Sequence, residues 1–198
     1  MAVTIDNIFT KTVEKEANVR FKREAAIRWL RDRTSGLNAS APQIINEMKS
    51  RQKDTAIIGK MYLFQYSAKH AATLPYWDKF PLIFPIGMDW GYVTGINFHY
   101  LDMRLRAFFL DHLWQFANND RLDQHTKLQL SYEMLKSSSA NKYVKPTIHR
   151  YLATHVRSKF LLIDPSEWAV AIFLPIQQFQ KASIQTVYKD SRNKMRGT

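Results

Sequence analysis

The sequence predicts an α+β fold, in which a small, bent, barrel-like antiparallel sheet is packed by flanking helices. Apolar residues recur at helical spacing near both ends of the 198-residue chain and alternate, as in strands, through its middle. Prolines and glycines interrupt the alternating part, which is typical of short, bent strands rather than of a doubly wound α/β domain. We expect a basic helical segment at 1–57, followed by one compact domain at 58–198.

The N-terminal segment is predicted to contain two helices. NVRFKREAAIRWLRDRT has apolar residues near helical spacing and ends before Gly36. SAPQIINEMKSRQKD then begins with Ser40 as an N-cap and Gln43 in the capping-box position. Pro42 falls in the first turn, where its missing N–H costs nothing.

Three strands are predicted within Gly59–Leu101, from KMYLFQYS, FPLIFPI and GYVTGINFHYL, with GMDWG as a turn between the last two. Pro81 and Pro85 cannot donate to a ladder, so their strand is expected to be short, at an edge or bulged. Gly91 and Gly95 indicate bending or a close backbone approach.

The helical period returns after the sheet. MRLRAFFLDHLWQFAN has the clearest amphipathic stripe of the chain, and HTKLQLSYEMLKSSS predicts a second helix. KPTIHRYLATHVRSKF is interpreted as a third, with Ile148, Tyr151, Leu152, His155 and Val156 facing inward. In DPSEW, Asp164 is an N-cap, Pro165 occupies the first helical position and Glu167 completes a capping box.

The net charge of +12 is concentrated in the two flanks of the chain. Residues 1–53 carry +5, residues 54–136 are neutral, and residues 137–198 carry +7. This distribution favours a polyanionic partner, such as nucleic acid or an acidic protein surface. An inert, solvated basic surface is the alternative.

Cysteine is absent, which excludes disulfides and thiolate metal sites and fits a reducing compartment. No apolar stretch approaches about 18 residues, so we expect no membrane partner and a soluble, unsecreted protein.

No cofactor or metal is expected from the motifs. The six histidines form no HExxH pair, and His112 and His155 lie in apolar stripes typical of core histidines. The chain also lacks a glycine-rich phosphate loop and a GxSxG nucleophile motif.

Nuclease chemistry is a weaker hypothesis. Asp78, Asp89 and Asp102 lie in or beside the strands, with Lys79 and His99 nearby, and carboxylates beside a lysine can hold Mg²⁺ next to a phosphate. However, Asp89 falls in a turn, Asp102 is placed to cap the next helix, and Asp78 can pair with its neighbouring lysine. We therefore expect no catalytic residue and no enzyme.

Nucleic-acid binding has more support. Basic side chains on the first helix and after residue 139 can meet phosphates without reading sequence. The candidates are Arg20, Arg23, Arg28, Arg31, Arg33, Lys142, Lys145, Arg150 and Arg157. Tyr76 and Trp77, beside Lys79, could stack on an exposed base or contact a partner protein, the alternative being that they only pack over the sheet.

Several motifs resemble a family of minor virion proteins from tailed bacteriophages of the contractile, T-even-like kind, the DNA end protectors. The resembling stretches are MYLFQY, KHAATLPYWDKFPLIFPI, GINFHYL, MRLRA and LLIDPSEWAVAIFLPIQQFQKASIQTVYKDSRNKM, together spanning about residues 58–195. The resemblance supplies no catalytic residue.

The resemblance implies a protein of the virion, present in the host cytoplasm during assembly, that binds a duplex DNA terminus at the head–tail junction and shields it from exonuclease. Other phage structural proteins would then be partners, and a homo-oligomer within the virion stays open. A purely structural neck or baseplate subunit that contacts acidic neighbours is the second reading. A head-completion nuclease is the third.

Overall fold

A computed structural model of the chain describes residues 40–103, 105–107, 109–110, 119, 121–139 and 144–196. Helices and antiparallel strands both occur in them, which confirms the predicted α+β class. The helix expected within 18–34 and the side chain of His112 lie outside the described residues.

Among the described residues, six antiparallel strands form the main sheet, in the spatial order β1-β7-β2-β4-β5-β6. A separate two-stranded sheet pairs β3 with β8. In this part of the chain the main sheet has β1 and β6 as its edges and does not close into a barrel. The strands are β1 Gln52–Lys53, β2 Met61–Leu63, β3 Trp77–Asp78, β4 Leu82–Asp89, β5 Tyr92–Asn97, β6 Ile148–Leu152, β7 Phe160–Ile163 and β8 Phe179–Gln180.

The helices with defined bounds are α1 Ala41–Glu47, α2 Gln124–Ser139, α3 Trp168–Ala171 and α4 Ile184–Arg196. Short 3-10 turns occupy Lys49–Arg51, Phe98–Tyr100, Lys145–Thr147, Ala153–His155 and Pro165–Glu167. The described residues of 103–110 are also helical. No helix among the described residues is long and apolar enough to cross a membrane.

Local signals at the starts of helices are confirmed. Ser40 and Gln43 form the expected capping box at α1, and Asp164 and Glu167 form the one before α3. The Asp102 carboxylate accepts a hydrogen bond from the Leu105 N–H at 3.1 Å, as expected of a cap.

The third predicted helix, at 145–160, is wrong. Residues Ile148–Leu152 form β6, which pairs with β5, and 3-10 turns lie on either side of it. Ile148 and Tyr151 are residues that favour strands, and pairing with β5 prevails over the helical spacing of the apolar side chains. His155 is only half-buried on this strand–turn segment, so the expectation of a core histidine there is not met.

The hairpin β4–β5 carries the predicted irregularities. Its register shifts between Pro85 and Gly87, so the proline-containing strand is bulged, although β4 lies inside the sheet. Gly91 has φ +79° at the turn, a conformation that glycine adopts freely. A Cβ on Gly95 would lie 2.9 Å from Ile83 Cδ1, which confirms the predicted close approach.

The sheet separates two hydrophobic clusters, because alternate side chains of a strand face opposite sides. Met61 and Leu63 of β2 join the larger cluster, which also includes every residue of α3. Tyr62 and Phe64 join a smaller cluster on the other side, with Tyr66, Tyr151 and Phe160 among its members. This second, aromatic cluster borders the site described next.

Candidate nucleic-acid interface

A cleft of about 500 Å³ opens beside edge strand β6 and the aromatic cluster. Four separate parts of the chain line it: residues 66–78, the start of β5 with the turn after it, β6, and α4. Its aromatic lining residues are Tyr66, Tyr76, Trp77, Tyr92, Tyr100 and Tyr151, and its lysine and arginine residues are Lys69, Arg150 and Lys194. The cleft thus combines stacking surfaces with positive charge.

Asp78 contributes a buried carboxylate to the cleft lining and is held by three donors. Its Oδ1 accepts from the Phe80 N–H at 3.0 Å, and its Oδ2 accepts from Asn97 Nδ2 at 3.0 Å. His99 Nδ1 lies 2.7 Å from the same Oδ2. Asn97 Nδ2 also donates to the Tyr151 hydroxyl at 3.0 Å, so one polar network joins the cleft to β5 and β6.

His149 on β6 is stacked against Tyr100, with ring centroids 4.0 Å apart. Burial, with Lys194 nearby, lowers the pKa of His149 to about 4, against the opposing effect of Asp78. The imidazole is therefore neutral at pH 7. Its Nε2 is buried and has no hydrogen-bond partner among the described residues.

The segment that leads into β3 lines one part of the cleft. Burial and the Asp190 carboxylate raise the pKa of Tyr76 to about 12, so this hydroxyl stays protonated. Trp77 pairs with Gln180 across the small sheet. Lys181 then donates from Nζ to the Ala72 carbonyl at 2.9 Å, and Nζ lies 5.9 Å from the Trp77 ring centroid.

Strands β5 and β6 line another part of the cleft. The Arg150 guanidinium lies 4.3 Å from the centroid of the Tyr92 ring, a cation–π distance. Arg150 is exposed and Tyr92 is half-buried, so both can reach a ligand in the cleft.

The structure places three of the sequence-predicted site residues, Tyr76, Trp77 and Arg150, in this one cleft. Lys145 and Arg157 are exposed but do not line it. The five arginines predicted within 20–33, and Lys142, lie outside the described residues.

Sequence reasoning missed Lys69, Tyr92, Tyr100, His149 and Lys194 as cleft residues. Tyr100 lies in the predicted strand GYVTGINFHYL, but its sequence neighbours do not distinguish it from a core residue. The others come from segments brought together only by strand pairing and by the packing of α4.

The carboxylates considered for nuclease chemistry have separate structural roles. Asp78 is buried and pairs with His99 rather than with Lys79, Asp89 is exposed at the end of β4, and Asp102 caps a helix. Within the described residues there is no group of three or more side chains able to hold a metal ion.

Comparison with known families agrees with the motif resemblance. The family model for the Phage T4 terminal DNA protecting protein matches residues 6–192. The chain belongs to this family of phage proteins that protect DNA ends. No curated protein and no solved structure matches it.

Proposed function

We propose that the protein binds the end of packaged duplex DNA in the virion, at the head–tail junction, and shields it without cutting it. The supporting observation is a cleft in which aromatic rings lie beside Lys69, Arg150 and Lys194, in a chain of the DNA-protecting family. Phosphates would meet the cations, and exposed bases would meet the rings.

The charge balance at the cleft favours an anionic ligand. Lys69, Arg150 and Lys194 line it, and Lys181 Nζ lies 5.9 Å from the Trp77 ring centroid. Against these, Asp78 is occupied by three donors and Asp190 by the Tyr76 hydroxyl. The arginines predicted from the sequence, Arg20, Arg23, Arg28, Arg31 and Arg33, with Lys142, Lys145 and Arg157, are proposed to add further phosphate contacts.

A salt titration of duplex binding tests the proposal. Each phosphate contact releases condensed counterions and contributes about 0.9 to the slope of log K against log salt. Replacing Lys69, Arg150 and Lys194 together with glutamine should lower that slope by about 2 to 3. Lys53→Gln is the matched control, because Lys53 is exposed on β1 at the opposite edge of the sheet.

An exonuclease assay tests protection itself. Linear DNA with bound protein should resist degradation from its ends, whereas the triple glutamine variant should protect at higher protein concentrations only. Mg²⁺-dependent cutting of the DNA by the protein would instead support a nuclease.

A structural neck or baseplate subunit is the second candidate, and one observation favours it. Trp90 at the β4–β5 turn is fully exposed and Met88 beside it is 44% exposed, an apolar pair suited to a contact with another protein. Absent or salt-insensitive DNA binding, with loss of particle assembly in Trp90→Ser, would favour this function.

A further inference from the structure

The volume of the cleft sets the size of what it can hold. At about 500 Å³ it falls within the range of small-molecule sites, about 300–1,000 Å³. A space of this size accepts a single nucleotide rather than a stretch of duplex. The cleft would therefore take a part of the DNA that has left the helix.

Two aromatic residues of the cleft lining each have a cation near the ring. Tyr92 has the Arg150 guanidinium 4.3 Å from its centroid, and Trp77 has Lys181 Nζ at 5.9 Å. Aromatic rings beside cations bind unpaired nucleotides without reading sequence, because every base has a π face and every nucleotide carries a phosphate.

A buried polar atom in the cleft lining also lacks a partner. The His149 ring is hydrogen-bonded to the Pro146 backbone through one nitrogen, and Nε2 has no partner in the part of the chain that the structure describes. A neutral imidazole that donates from one nitrogen presents a lone pair on the other. Buried polar groups are rarely left unsatisfied, so Nε2 lacks a donor that the described residues do not supply.

We propose that the cleft receives one unpaired nucleotide from the duplex terminus, its base against the aromatic residues Trp77 and Tyr92 and its phosphate against Arg150. The inference rests on the proposed end-binding function and explains how the protein would select a DNA end over the interior of a duplex. Extruding a base from inside a duplex breaks two stacking contacts and a base pair, whereas a terminal base has one stacking neighbour and frays more easily. A pocket for one base therefore distinguishes an end from duplex interior.

Terminal fluorescence tests the wild-type protein directly. The adenine analogue 2-aminopurine is placed at the last position of a linear duplex, and in a second duplex at a central position. Binding should change the emission of the terminal probe and leave the central one unchanged. Equal changes at both positions, or none at either while the duplex is bound, would overturn the inference.

Variants then assign the effect to the cleft. Tyr92→Ala and Trp77→Ala should each weaken binding to linear ends by about 5- to 150-fold, the range measured for base–aromatic stacking. Binding to a closed duplex circle should change less than twofold. Tyr92→Phe, which keeps the ring, should retain end preference, and circular dichroism melting identifies any variant that fails to fold.

The two proposals fail differently. If the proposed end-binding function is wrong, the wild-type protein neither binds duplex DNA nor protects it. If only the pocket inference is wrong, the protein protects DNA ends normally. The emission of the terminal probe then stays unchanged on binding, and both alanine variants keep their preference for ends.

Discussion

His99 Nδ1 lies 2.7 Å from Asp78 Oδ2, and both side chains are almost completely shielded from water. The contact connects β3 of the small sheet to the 3-10 turn that follows β5 of the main sheet. Burial lowers the pKa of His99, while the Asp78 carboxylate acts in the opposite direction. The pair therefore joins the two sheets directly behind the cleft.

Asp78→Ala should destabilise the protein by about 3–5 kcal/mol, because each buried donor left unsatisfied costs about 1–3 kcal/mol. The Phe80 N–H and His99 Nδ1 would lose their acceptor, and Asn97 Nδ2 would keep only the Tyr151 hydroxyl. Urea unfolding followed by circular dichroism measures the effect. Asp89→Ala, at an exposed position, should stay within about 0.5 kcal/mol of wild type.

Arg106→Lys should also be costly although it preserves the charge. The buried guanidinium donates to the carbonyls of Leu101, Ile172 and His99 and to the Tyr188 hydroxyl, a set that one ammonium group cannot reproduce. We expect a loss of about 3 kcal/mol in the free energy of unfolding.

The matched control for that change is Arg192→Lys, which alters an exposed arginine 3.5 Å from Asp102. Exposed ion pairs contribute about 0–1 kcal/mol, so the urea midpoint of Arg192→Lys should stay close to that of the wild type. Equal stability of the two variants would contradict the bridging role assigned to Arg106.

Gly95→Ala should lower stability by about 1–3 kcal/mol through overpacking. The added Cβ would lie 2.9 Å from Ile83 Cδ1 and 3.1 Å from the Phe84 carbonyl oxygen, and the latter cannot move without disturbing β4. Gly87→Ala on the same hairpin is the comparison, because its Cβ would meet only Thr94 Cβ, at 3.7 Å. Thermal melting of the two variants measures the difference.

Stability should fall on acidification because of His149. Its folded-state pKa of about 4 lies below the ordinary 6.5, so the unfolded chain binds more protons between these values. The stabilisation is complete above about pH 6.5 and is lost as pH falls towards 4, by about 3 kcal/mol at most. Lys194, Asp78 and Tyr100 are the groups that face the ring.

Urea titrations between pH 4 and pH 7 check this dependence. His149→Gln should flatten the fall in stability, whereas His125→Gln, at an exposed position on α2, should not. An identical pH profile in all three proteins would show that the acid sensitivity arises elsewhere, such as from His99.

Local signals in the sequence predicted the parts of the fold that depend on neighbouring residues. The capping boxes at Ser40 and Asp164, the bulge near Pro85 and the close approach at Gly95 each follow from a residue and its immediate chemistry. The same reasoning failed at β6, where apolar residues at helical spacing pair with β5 instead. There the outcome depended on a partner strand more than fifty residues away.

The candidate site was predicted only in part for the same reason. Tyr76, Trp77 and Arg150 were chosen for their chemistry, and the structure brings them to one cleft. Tyr92 and His149 became recognisable only through the pairing of β5 with β6, which sets Gly95 opposite His149 and Tyr92 opposite Leu152. The helix α4, which supplies Lys194, is not among the helices predicted from the sequence.

The position of β7 between β1 and β2 has a consequence for the order of folding. Residues 52–53 and 61–63 pair with 160–163, so a growing chain must release about a hundred further residues before these strands meet their partner. Until then β2 can pair only with β4. Strand pairing over such a long sequence separation slows folding to the millisecond–second range typical of β-rich domains. Until it is complete, unpaired apolar strand edges can form non-native contacts with other chains.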